Sequence, residues 1–523
     1  MSAAGVRPRT PGGAVAAGHP ETAEAGASIL REGGNAVDAA IAAMLASVVT
    51  ESPLTGLGAG GYMVVHDRAG ETTVLDFFVA APGLGGSERG AELVPVEIDF
   101  GGTVQVFNIG AASCGVPGVP AGIAAAQERF GSMPLQELVK PALRLAREGF
   151  RVNDQQAYLF ALLAPILTAT PEGSDVYAPG GAPLRAGDTF AWPELGETLE
   201  RFAAEGAVGF YEGEIGARIC AWVSERGGLL SAADLAAYEP IAREPVSARY
   251  LGREVRSNAP PSPGGTLIAY VLSILDRLGR SDPPALVAAM EQAQSARQGD
   301  FLAGLYREGF AEEFLAPARL DEAAQRCATA IGAGTLPTDP SDRLGSTTHI
   351  ATVDAAGVCA SVTCSNGSGS GVIVPGTGVQ VNNMMGEEDL NPAGFHRTTP
   401  GLRMPSMMSP TVATRDGEVE LVLGSAGSNR IRSAVLQTLI RVLADGLGAG
   451  AAVAAPRLHF ESGVVHAEPG IVEDGLRAAG REVVSWPAAN LYFGGVQAIV
   501  RDPETGALDA AGDPRRGGAA VLV

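Results

Sequence analysis

Lysine is almost absent from this sequence of 523 residues, in which Lys140 is the only one. Lys and Arg together number 37 against 58 Asp and Glu, so the formal net charge is −21 at pH 7. A surface with this excess of negative charge repels nucleic-acid phosphates and anionic lipid headgroups. The composition therefore argues against nucleic acid and against a membrane surface as partners.

Cysteine and histidine are also scarce, at five and six residues. The cysteines form no C-x-x-C pair and their number is odd, so the sequence does not suggest a disulfide framework. We expect buried structural thiols instead. The histidines are isolated and no H-E-x-x-H motif occurs, so the sequence predicts no metal site.

Long apolar runs are missing as well. The longest, residues 36–49, contains Asp38 and is too short to span a bilayer. The first 18 residues include Arg7 and Arg9 but no apolar core of a secretion signal, so a cytoplasmic location is expected. The length allows two or three units of about 150 residues each, or one large α/β sandwich.

Strand-like segments flank a helical middle. The periodicity predicts helices over residues 21–50, with a break at Gly33-Gly34-Asn35, and over 133–151, 266–278, 282–330 and 431–447. Strands are predicted at 62–66, 72–78, 348–353, 358–363, 372–374, 380–382, 410–414, 419–423, 464–468, 482–485 and 496–501. The Gly-, Pro- and Ser-rich segment 332–345 is typical of a linker, where a chain cut is tolerated.

One glycine-rich segment imitates a nucleotide-binding motif. Residues 56–61 (Gly-Leu-Gly-Ala-Gly-Gly) formally match G-x-G-x-x-G. The predicted order here is helix, loop and strand, whereas a dinucleotide-binding fingerprint requires strand, loop and helix. We therefore interpret the match as coincidental.

The most informative feature is Thr347-Thr348, which follows a Gly-Ser step and opens an apolar, alternating strand. The Thr347 hydroxyl can attack the carbonyl of Ser346, so that the acyl group shifts from nitrogen to oxygen and is then hydrolysed. Thr347 would then carry a free α-amine that serves as its own general base. Two threonines before a strand usually reflect β-propensity alone, so the pattern by itself is a weak signal.

Further motifs, in order along nearly the whole chain, resemble the gamma-glutamyltransferase family of N-terminal nucleophile hydrolases. These motifs lie at residues 33–40, 115–118, 210–213, 234–238, 260–265, 347–349, 382–383, 405–411, 424–427 and 455–457. The resemblance implies an α/β fold, a four-layer αββα sandwich. It also implies a precursor cut before Thr347 into a large piece, 1–346, and a small piece, 347–523, which remain one globular heterodimer and need no cofactor.

The resemblance also assigns roles to individual residues. Thr347 is the expected nucleophile, and Ser365 falls where the family has a second hydroxyl that hydrogen-bonds it. Gly427 and Ser428 fall on a glycine pair whose backbone N–H groups stabilise the oxyanion. The substrate side is implied for Asn366, for Ser406, and for Glu387, which stands where an acid holds the α-amino group of the substrate.

The departures from the family pattern concern the substrate pocket. The arginine that would bind the glutamyl α-carboxylate is replaced by Phe78, and a bidentate arginine–carboxylate contact cannot be imitated by an aromatic ring. Met384 and Met407 replace polar residues of the same pocket. The acyl-transfer residues are thus retained, while the glutamyl pocket is partly apolar.

Three functions stay open on these residues. The first is cleavage of gamma-glutamyl amides such as glutathione, with water or an amino acid resolving the acyl-enzyme. The second is the same chemistry on a non-glutamyl amide, as an acylase or small-amide hydrolase. The third is a non-catalytic relative used as a binding module. A small-molecule amide is the expected partner, and a higher oligomer is left open.

Overall fold

The computed structural model describes residues 12–86, 92–99, 104–331, 347–391 and 394–523. The predicted linker 332–345 and Ser346 lie outside these residues. The strands of the described part are, in chain order, β1 (Gly13–Ala17), β2 (Gly60–His66), β3 (Thr72–Phe77), β4 (Val94–Asp99), β5 (Val104–Ile109), β6 (Phe150–Arg151), β7 (Thr189–Phe190), β8 (Ile241–Arg243), β9 (Val246–Tyr250), β10 (Arg253–Ser257), β11 (Thr348–Asp354), β12 (Cys359–Ser365), β13 (Ile373–Val374), β14 (Val379–Gln380), β15 (Thr411–Arg415), β16 (Glu418–Ala426), β17 (Leu458–Glu461), β18 (Val464–Ala467), β19 (Glu482–Ser485), β20 (Gly495–Arg501), β21 (Leu508–Gly512) and β22 (Ala519–Leu522).

The α-helices of the same part, in chain order, are α1 (Pro20–Arg31), α2 (Ala36–Thr50), α3 (Val119–Phe130), α4 (Leu135–Leu138), α5 (Lys140–Glu148), α6 (Asp154–Leu162), α7 (Ala164–Leu167), α8 (Pro171–Tyr177), α9 (Pro193–Tyr211), α10 (Glu214–Glu225), α11 (Ala232–Ala236), α12 (Pro263–Leu278), α13 (Pro283–Ser295), α14 (Phe301–Gly304), α15 (Phe310–Phe314), α16 (Pro317–Ala330), α17 (Arg430–Leu443), α18 (Ala449–Ala454) and α19 (Asp474–Ala478). Short 3₁₀ turns include Met384–Gly386 and Glu388–Leu390. Within the described ranges, every helix is too short or too polar to span a bilayer.

Two antiparallel sheets form the centre of the molecule. One has seven strands in the order β22-β1-β11-β12-β2-β3-β8, and the other has six in the order β21-β20-β16-β15-β10-β9. The sheets pack face to face through β11, β12, β16 and β20, with α1 and α2 on the outer face of the first and α12 and α17 on that of the second. This is the four-layer αββα sandwich that the resemblance implied.

Side chains of β11 alternate between two hydrophobic cores, as the two-residue period of a strand requires. Ala351 and Val353 belong to the core that includes the second sheet, while Ile350 belongs to the core under α1 and α2. The first sheet is therefore buried on both faces. All seven residues of β11 and all seven of β12 are accordingly buried.

The break between the first two helices is a capping motif. The Asn35 side chain accepts hydrogen bonds from the amides of Val37 and Asp38, and the Asp38 carboxylate accepts one from the Asn35 amide. This reciprocal arrangement satisfies amides that the start of a helix leaves unpaired. Gly33-Gly34-Asn35 thus ends α1 and begins α2, as the sequence predicts.

The glycines of residues 56–61 allow close packing and do not form a nucleotide loop. The loop leads from α2 into β2, which is the order predicted from the sequence. A Cβ atom at Gly58 would lie 2.2 Å from the Gln380 carbonyl oxygen, and one at Gly60 would lie 2.5 Å from the Val79 amide. These positions therefore require glycine because neighbouring backbone approaches too closely for a side chain.

Candidate active site

Thr347 lies immediately before β11, and the strand register places it beside Ser365, the last residue of β12. Thr348 pairs with Cys364, and His349 pairs with Thr363. The His349 ring packs against Gly424 of the second sheet, and Ser361 Oγ donates to the Leu423 carbonyl there. Odd-numbered residues of both strands therefore face the second sheet, which puts the Thr347 and Ser365 hydroxyls together between the sheets.

The two hydroxyls meet at the long end of hydrogen-bond distance. Thr347 Oγ1 donates to Ser365 Oγ across 3.5 Å, and both residues are 4% exposed. Ser365 Oγ also accepts from the Gly367 amide at 2.9 Å, which fixes its position. A catalytic contact of this kind is often loose before substrate binds. In the uncut chain, the Thr347 nitrogen belongs to a peptide bond and cannot accept a proton.

Thr348 faces the opposite side of the sheet, toward the end of α2. Its Oγ1 donates to Glu51 Oε2 at 2.5 Å, and Thr22 Oγ1 donates to Glu51 Oε1 at 2.8 Å. Burial raises the pKa of the Glu51 carboxyl to about 7, although both hydrogen bonds favour the charged form. Thr348 thus links the start of β11 to the end of α2 in the helix layer. Its role is to support the strand.

Glu387 belongs to a hydrogen-bonded cluster at the edge of the site. Its Oε1 accepts from Asn383 Nδ2 at 2.9 Å and from the Ser368 amide at 3.0 Å. Asn383 Nδ2 also donates to Ser368 Oγ at 2.6 Å. Burial raises the pKa of Glu387 to about 7, so near neutral pH this carboxyl exchanges between its neutral and charged forms.

The loop that precedes α17 contains Gly427 and Ser428, whose backbone amides are the oxyanion donors expected from the sequence. We call residues 427–429 the 427–429 loop. Gly427 has φ +123° and Ser428 has φ +51°, so the serine that replaces glycine adopts the left-handed region. Serine is allowed there at a cost of about 1 kcal/mol. The Arg430 amide bonds the Gly427 carbonyl at 3.0 Å, which continues the loop into the helix.

Phe78 and Ser406 approach the site from two other segments. The Phe78 ring stacks on Tyr62 with centroids 5.4 Å apart, and the Phe78 carbonyl accepts from Tyr238 Oη at 2.7 Å. Ser406 Oγ accepts from the Met408 amide at 3.2 Å, and its carbonyl accepts from Ser262 Oγ at 2.5 Å. Both residues are therefore held in place by contacts with neighbouring residues.

These groups surround one cavity of about 50 Å³. Its lining includes six of the residues predicted from the sequence: Phe78, Thr347, Ser365, Glu387, Ser406 and Ser428. The remaining lining residues are Gly367, Met384, Asp389, Leu390, Met407, Met408 and Ile431. The lining residues come from six separated stretches of chain, which is typical of a ligand-binding site.

Two predicted residues lie elsewhere. Gly427 adjoins the lining residue Ser428 without lining the cavity itself. The Asn366 side chain is fully buried beside Gly56, and neither of its polar atoms has a hydrogen-bond partner. Alternation along the chain turns Ser365 toward the second sheet and Asn366 away from it, so Gly367 occupies the place in the lining. The role of Asn366 stays a prediction that this geometry does not support.

Five lining residues were not predicted as site residues: Gly367, Asp389, Leu390, Met408 and Ile431. Asp389 and Leu390 follow Glu387 on the same turn, and Met408 follows Ser406 by two residues. Ile431 lies in the first turn of α17, directly after the 427–429 loop. Their closeness in sequence to a predicted residue was the one available signal, because the sequence does not show which residues are close in space.

Within this lining there is no cationic side chain, whereas two carboxyl groups are present. The arginines near Phe78 serve another purpose. Arg243 Nη2 pairs with Asp76 Oδ2 at 2.8 Å, and Arg403 Nε pairs with Asp76 Oδ1 at 3.2 Å. These arginines neutralise a buried acid at the end of β3, and neither lines the cavity.

Chemically, the arrangement offers a buried hydroxyl with a second hydroxyl beside it, a neighbouring loop of backbone donors and an apolar wall. Such a set can form and resolve an acyl ester without a metal ion. Among the described residues, no group of three or more His, Cys, Asp or Glu side chains is placed to hold a metal ion.

Comparison with known proteins points to one family. The family model "Gamma-glutamyltranspeptidase" matches residues 22–523. The glutathione hydrolase proenzyme of Escherichia coli (strain K12) is 31% identical over 96% of this chain and 90% of that protein. The acylase ACY 1 proenzyme of Pseudomonas sp. (strain SE83) is 32% identical over 98% of this chain and 93% of that protein.

Among solved structures, the cephalosporin acylase from Bacillus halodurans is 28% identical, with a TM-score of 0.84, and the match covers 100% of this chain and 98% of that one. Fold and site therefore define an amide hydrolase of the N-terminal nucleophile class. Within that class, the chain belongs to the gamma-glutamyltranspeptidase family.

Proposed function

We propose that the protein cuts itself before Thr347 and then hydrolyses or transfers the acyl group of a small amide. The observation that carries this proposal is the meeting of the Thr347 and Ser365 hydroxyls in one cavity with Ser428 and Glu387. Relatives at about 31% identity are proenzymes, which supports the self-cleavage. The products are residues 1–346 and residues 347–523, which stay together as a heterodimer.

Self-cleavage uses the same hydroxyl as later turnover. Thr347 Oγ1 attacks the carbonyl carbon of Ser346, and the proton of the hydroxyl passes to the Thr347 nitrogen of the tetrahedral intermediate. The C–N bond then breaks, and the nitrogen leaves as the α-amine of Thr347. Water then hydrolyses the ester, which releases the carboxylate of Ser346. The buried hydroxyl of Ser365 accepts a hydrogen bond from the Thr347 hydroxyl and so holds the attacking oxygen in place.

Turnover then follows as two acyl transfers. The free α-amine of Thr347 takes the hydroxyl proton as Oγ1 attacks the substrate amide, and the same group protonates the leaving amine. The amides of Gly427 and Ser428 stabilise the oxyanion of each tetrahedral intermediate, a contribution of a few kcal/mol per donor in other enzymes. Water or an amino acid resolves the acyl ester and regenerates the hydroxyl.

Gamma-glutamyl amides such as glutathione are the substrate class that we propose first. Curated relatives of this chain include glutathione hydrolases, and Glu387 provides a carboxyl group for the substrate amino group. An ammonium beside Glu387 would lower its raised pKa and bring it to the charged form at neutral pH. The α-carboxylate would need a donor other than arginine in this cavity.

A second candidate is an amide whose acyl group has no carboxylate. The observation that favours it is the apolar wall of Phe78, Met384, Met407, Leu390 and Ile431, with no cation in the lining. A carboxylate placed there would be desolvated without a charged partner, which is costly. Acylases are also among the relatives at comparable identity.

A panel of chromogenic amides distinguishes these functions. L-γ-Glutamyl-p-nitroanilide tests the first, and phenylacetyl- and butyryl-p-nitroanilides test the second, each with and without glycylglycine as acyl acceptor. Release of nitroaniline from any member that is lost in Thr347→Ala supports the amidase function. A correctly cut protein that cleaves no member would instead favour the non-catalytic binding module.

A further inference from the structure

We propose that Asp389 is a positioning residue that holds the 427–429 loop in its oxyanion-binding form. The inference rests on the proposed function, because it assumes that the Gly427 and Ser428 amides stabilise the oxyanion. Asp389 lies on the 3₁₀ turn Glu388–Leu390 and lines the cavity beside Thr347. No feature of the sequence marks this residue as functional.

The geometry links Asp389 directly to the loop. Ser428 Oγ and Asn429 Nδ2 each donate to Asp389 Oδ2 at 3.3 Å. One carboxylate oxygen thereby binds two successive residues of the loop through their side chains. Both bonds are made by side chains and not by the backbone amides of these residues.

The loop needs such an anchor because Ser428 is a serine in a glycine conformation. Its φ of +51° lies in the left-handed region, where a side chain costs about 1 kcal/mol relative to glycine. Without a compensating contact, the loop would relax toward a negative φ and rotate the adjoining peptide groups. An oxyanion donor that turns away from the developing charge loses most of its effect.

The anchor also connects the loop to the wall of the acyl pocket. Met384, Glu387 and Leu390 line the cavity on the same short segment as Asp389. An acyl group that fills the cavity therefore presses on the turn that carries the anchor. Binding of the correct acyl group and alignment of the oxyanion donors are thus coupled through a few residues.

The alternative is that Asp389 binds a cationic group of the substrate, and two substitutions separate these roles. Asp389→Asn keeps an oxygen acceptor of the same shape but removes the charge, whereas Asp389→Ala removes both. Positioning requires the acceptor, so Asp389→Asn should retain activity within about threefold. Substrate recognition requires the charge, so both substitutions would raise KM.

The decisive variant is the double substitution Asp389→Ala with Ser428→Gly. Glycine adopts φ +51° without an anchor, so it should restore what Asp389→Ala removes. We expect Asp389→Ala to lower kcat about tenfold with KM within about threefold, and the double variant to recover to within about threefold of wild type. Glu388→Ala, which removes an exposed acid of the same turn, is the control for lost charge.

The extent of self-cleavage before Thr347 gives a second measurement on the same variants. Intact mass under denaturing conditions reports the cut fraction, and rates are normalised to the fragment that starts at Thr347. If Asp389→Ala blocks the cut, restoration of the cut by Ser428→Gly supports the proposal. An inactive wild type would refute the proposed function but leave this comparison of processing intact.

The proposal is overturned by any of three results: Asp389→Ala behaves as wild type, its defect lies in KM alone, or Ser428→Gly fails to rescue it. The rescue separates positioning from a general loss of stability, because a merely destabilised protein would not regain kcat when a second position is changed.

Discussion

At the scale of single residues, Phe78 has the largest consequence for substrate choice. Its ring occupies the place where the family pattern has an arginine, and the cavity holds two carboxyl groups without a cation. A guanidinium there would face Glu387 and Asp389 and could bind a carboxylate through two parallel hydrogen bonds. Replacing Phe78 with arginine would therefore give the pocket the charge pattern of a glutamyl site.

Phe78→Arg should raise kcat/KM for L-γ-glutamyl-p-nitroanilide by about tenfold, because one charged hydrogen bond contributes about 1.5–3 kcal/mol. It should lower kcat/KM for phenylacetyl-p-nitroanilide, since the apolar wall is lost. Initial rates with both amides measure the two effects. Phe78→Leu is the matched control, which removes the ring without adding charge. Equal rates for wild type and Phe78→Arg on the glutamyl amide would show that the carboxylate binds elsewhere.

At the scale of elements, the contact between the two sheets depends on Gly424 of β16. A Cβ atom at this position would lie 2.3–2.8 Å from three atoms of the His349 ring. That ring cannot move freely, because its Nδ1 is 2.8 Å from Thr363 Oγ1 and the side chain is buried. Burial also lowers the pKa of His349 to about 3, so the ring packs there as a neutral group.

Gly424→Ala should therefore lower the free energy of unfolding by about 1–3 kcal/mol, the usual effect of overpacking a core. Gly450→Ala is the control, because no atom lies within 4 Å of its added Cβ and the residue belongs to α18. That change should stabilise the protein by about 0.5–1 kcal/mol. Urea unfolding of both variants in the uncut Thr347→Ala chain makes the comparison; equal stabilities would contradict it.

The contact between Thr348 of β11 and Glu51 at the end of α2 should make the free energy of unfolding depend on pH. The pKa of Glu51 is about 7 in the folded protein and near 4.5 when exposed. The folded state binds more protons between these values, so the contribution of Glu51 to the free energy of unfolding falls as the pH rises from about 4.5 to 7. Below this window the carboxyl is neutral in both states and contributes no pH dependence.

Glu51→Gln should remove this dependence, since glutamine keeps an oxygen acceptor without a charge. Its free energy of unfolding, relative to the parent, should increase by up to about 3 kcal/mol between pH 4 and pH 8. Urea unfolding at several pH values, again in the Thr347→Ala chain, measures the difference. A difference that stays constant with pH would mean that folding does not shift the pKa of Glu51.

Elements with a strong pattern were predictable from the sequence, while those defined by their neighbours were not. Helices α1, α2, α12 and α17 and strands β11 and β12 lie where periodicity put them, within a few residues. Strand β1 was missed, because its sequence Gly-Ala-Val-Ala-Ala has no alternation and low β-propensity. It forms because β11 and β22 pair with it on both sides.

The residues of the candidate site also divide into those that the sequence predicts and those that it does not. Motifs identified Thr347, Ser365, Glu387, Ser406 and Ser428 because their residue types are tied to chemistry. The sequence indicated the apolar character of the pocket through Phe78, Met384 and Met407. The other apolar lining residues, Leu390, Met408 and Ile431, could not be predicted, because they are ordinary hydrophobic residues until the fold brings them to one cavity. The φ of Ser428 likewise depends on the loop that surrounds it.

At the scale of the whole molecule, the two expected fragments share both sheets. In the first sheet, β1 from residues 1–346 lies between β22 and β11 from residues 347–523. In the second, β15 of the small fragment pairs with β10 of the large one. A cut before Thr347 therefore breaks one peptide bond and leaves the hydrogen bonds between strands in place.

The cut protein should consequently behave as one particle. Size-exclusion chromatography in neutral buffer should show both fragments in a single peak at the volume of the uncut Thr347→Ala chain, since the paired strands β1 and β11 are fully buried. In 6 M guanidinium chloride the peak should separate into two. Fragments that part in neutral buffer would mean that the shared strands do not hold the molecule together.

The most direct test of the whole account is the intact mass of the purified protein under denaturing conditions, followed over hours at neutral pH. The account predicts two fragments, the smaller beginning at Thr347, and a single uncut chain for Thr347→Ala. Thr347→Ser, which keeps the hydroxyl, should still be cut. A wild-type chain that stays whole, or a Thr347→Ala chain that is cut at the same bond, would contradict the assignment of Thr347 as nucleophile.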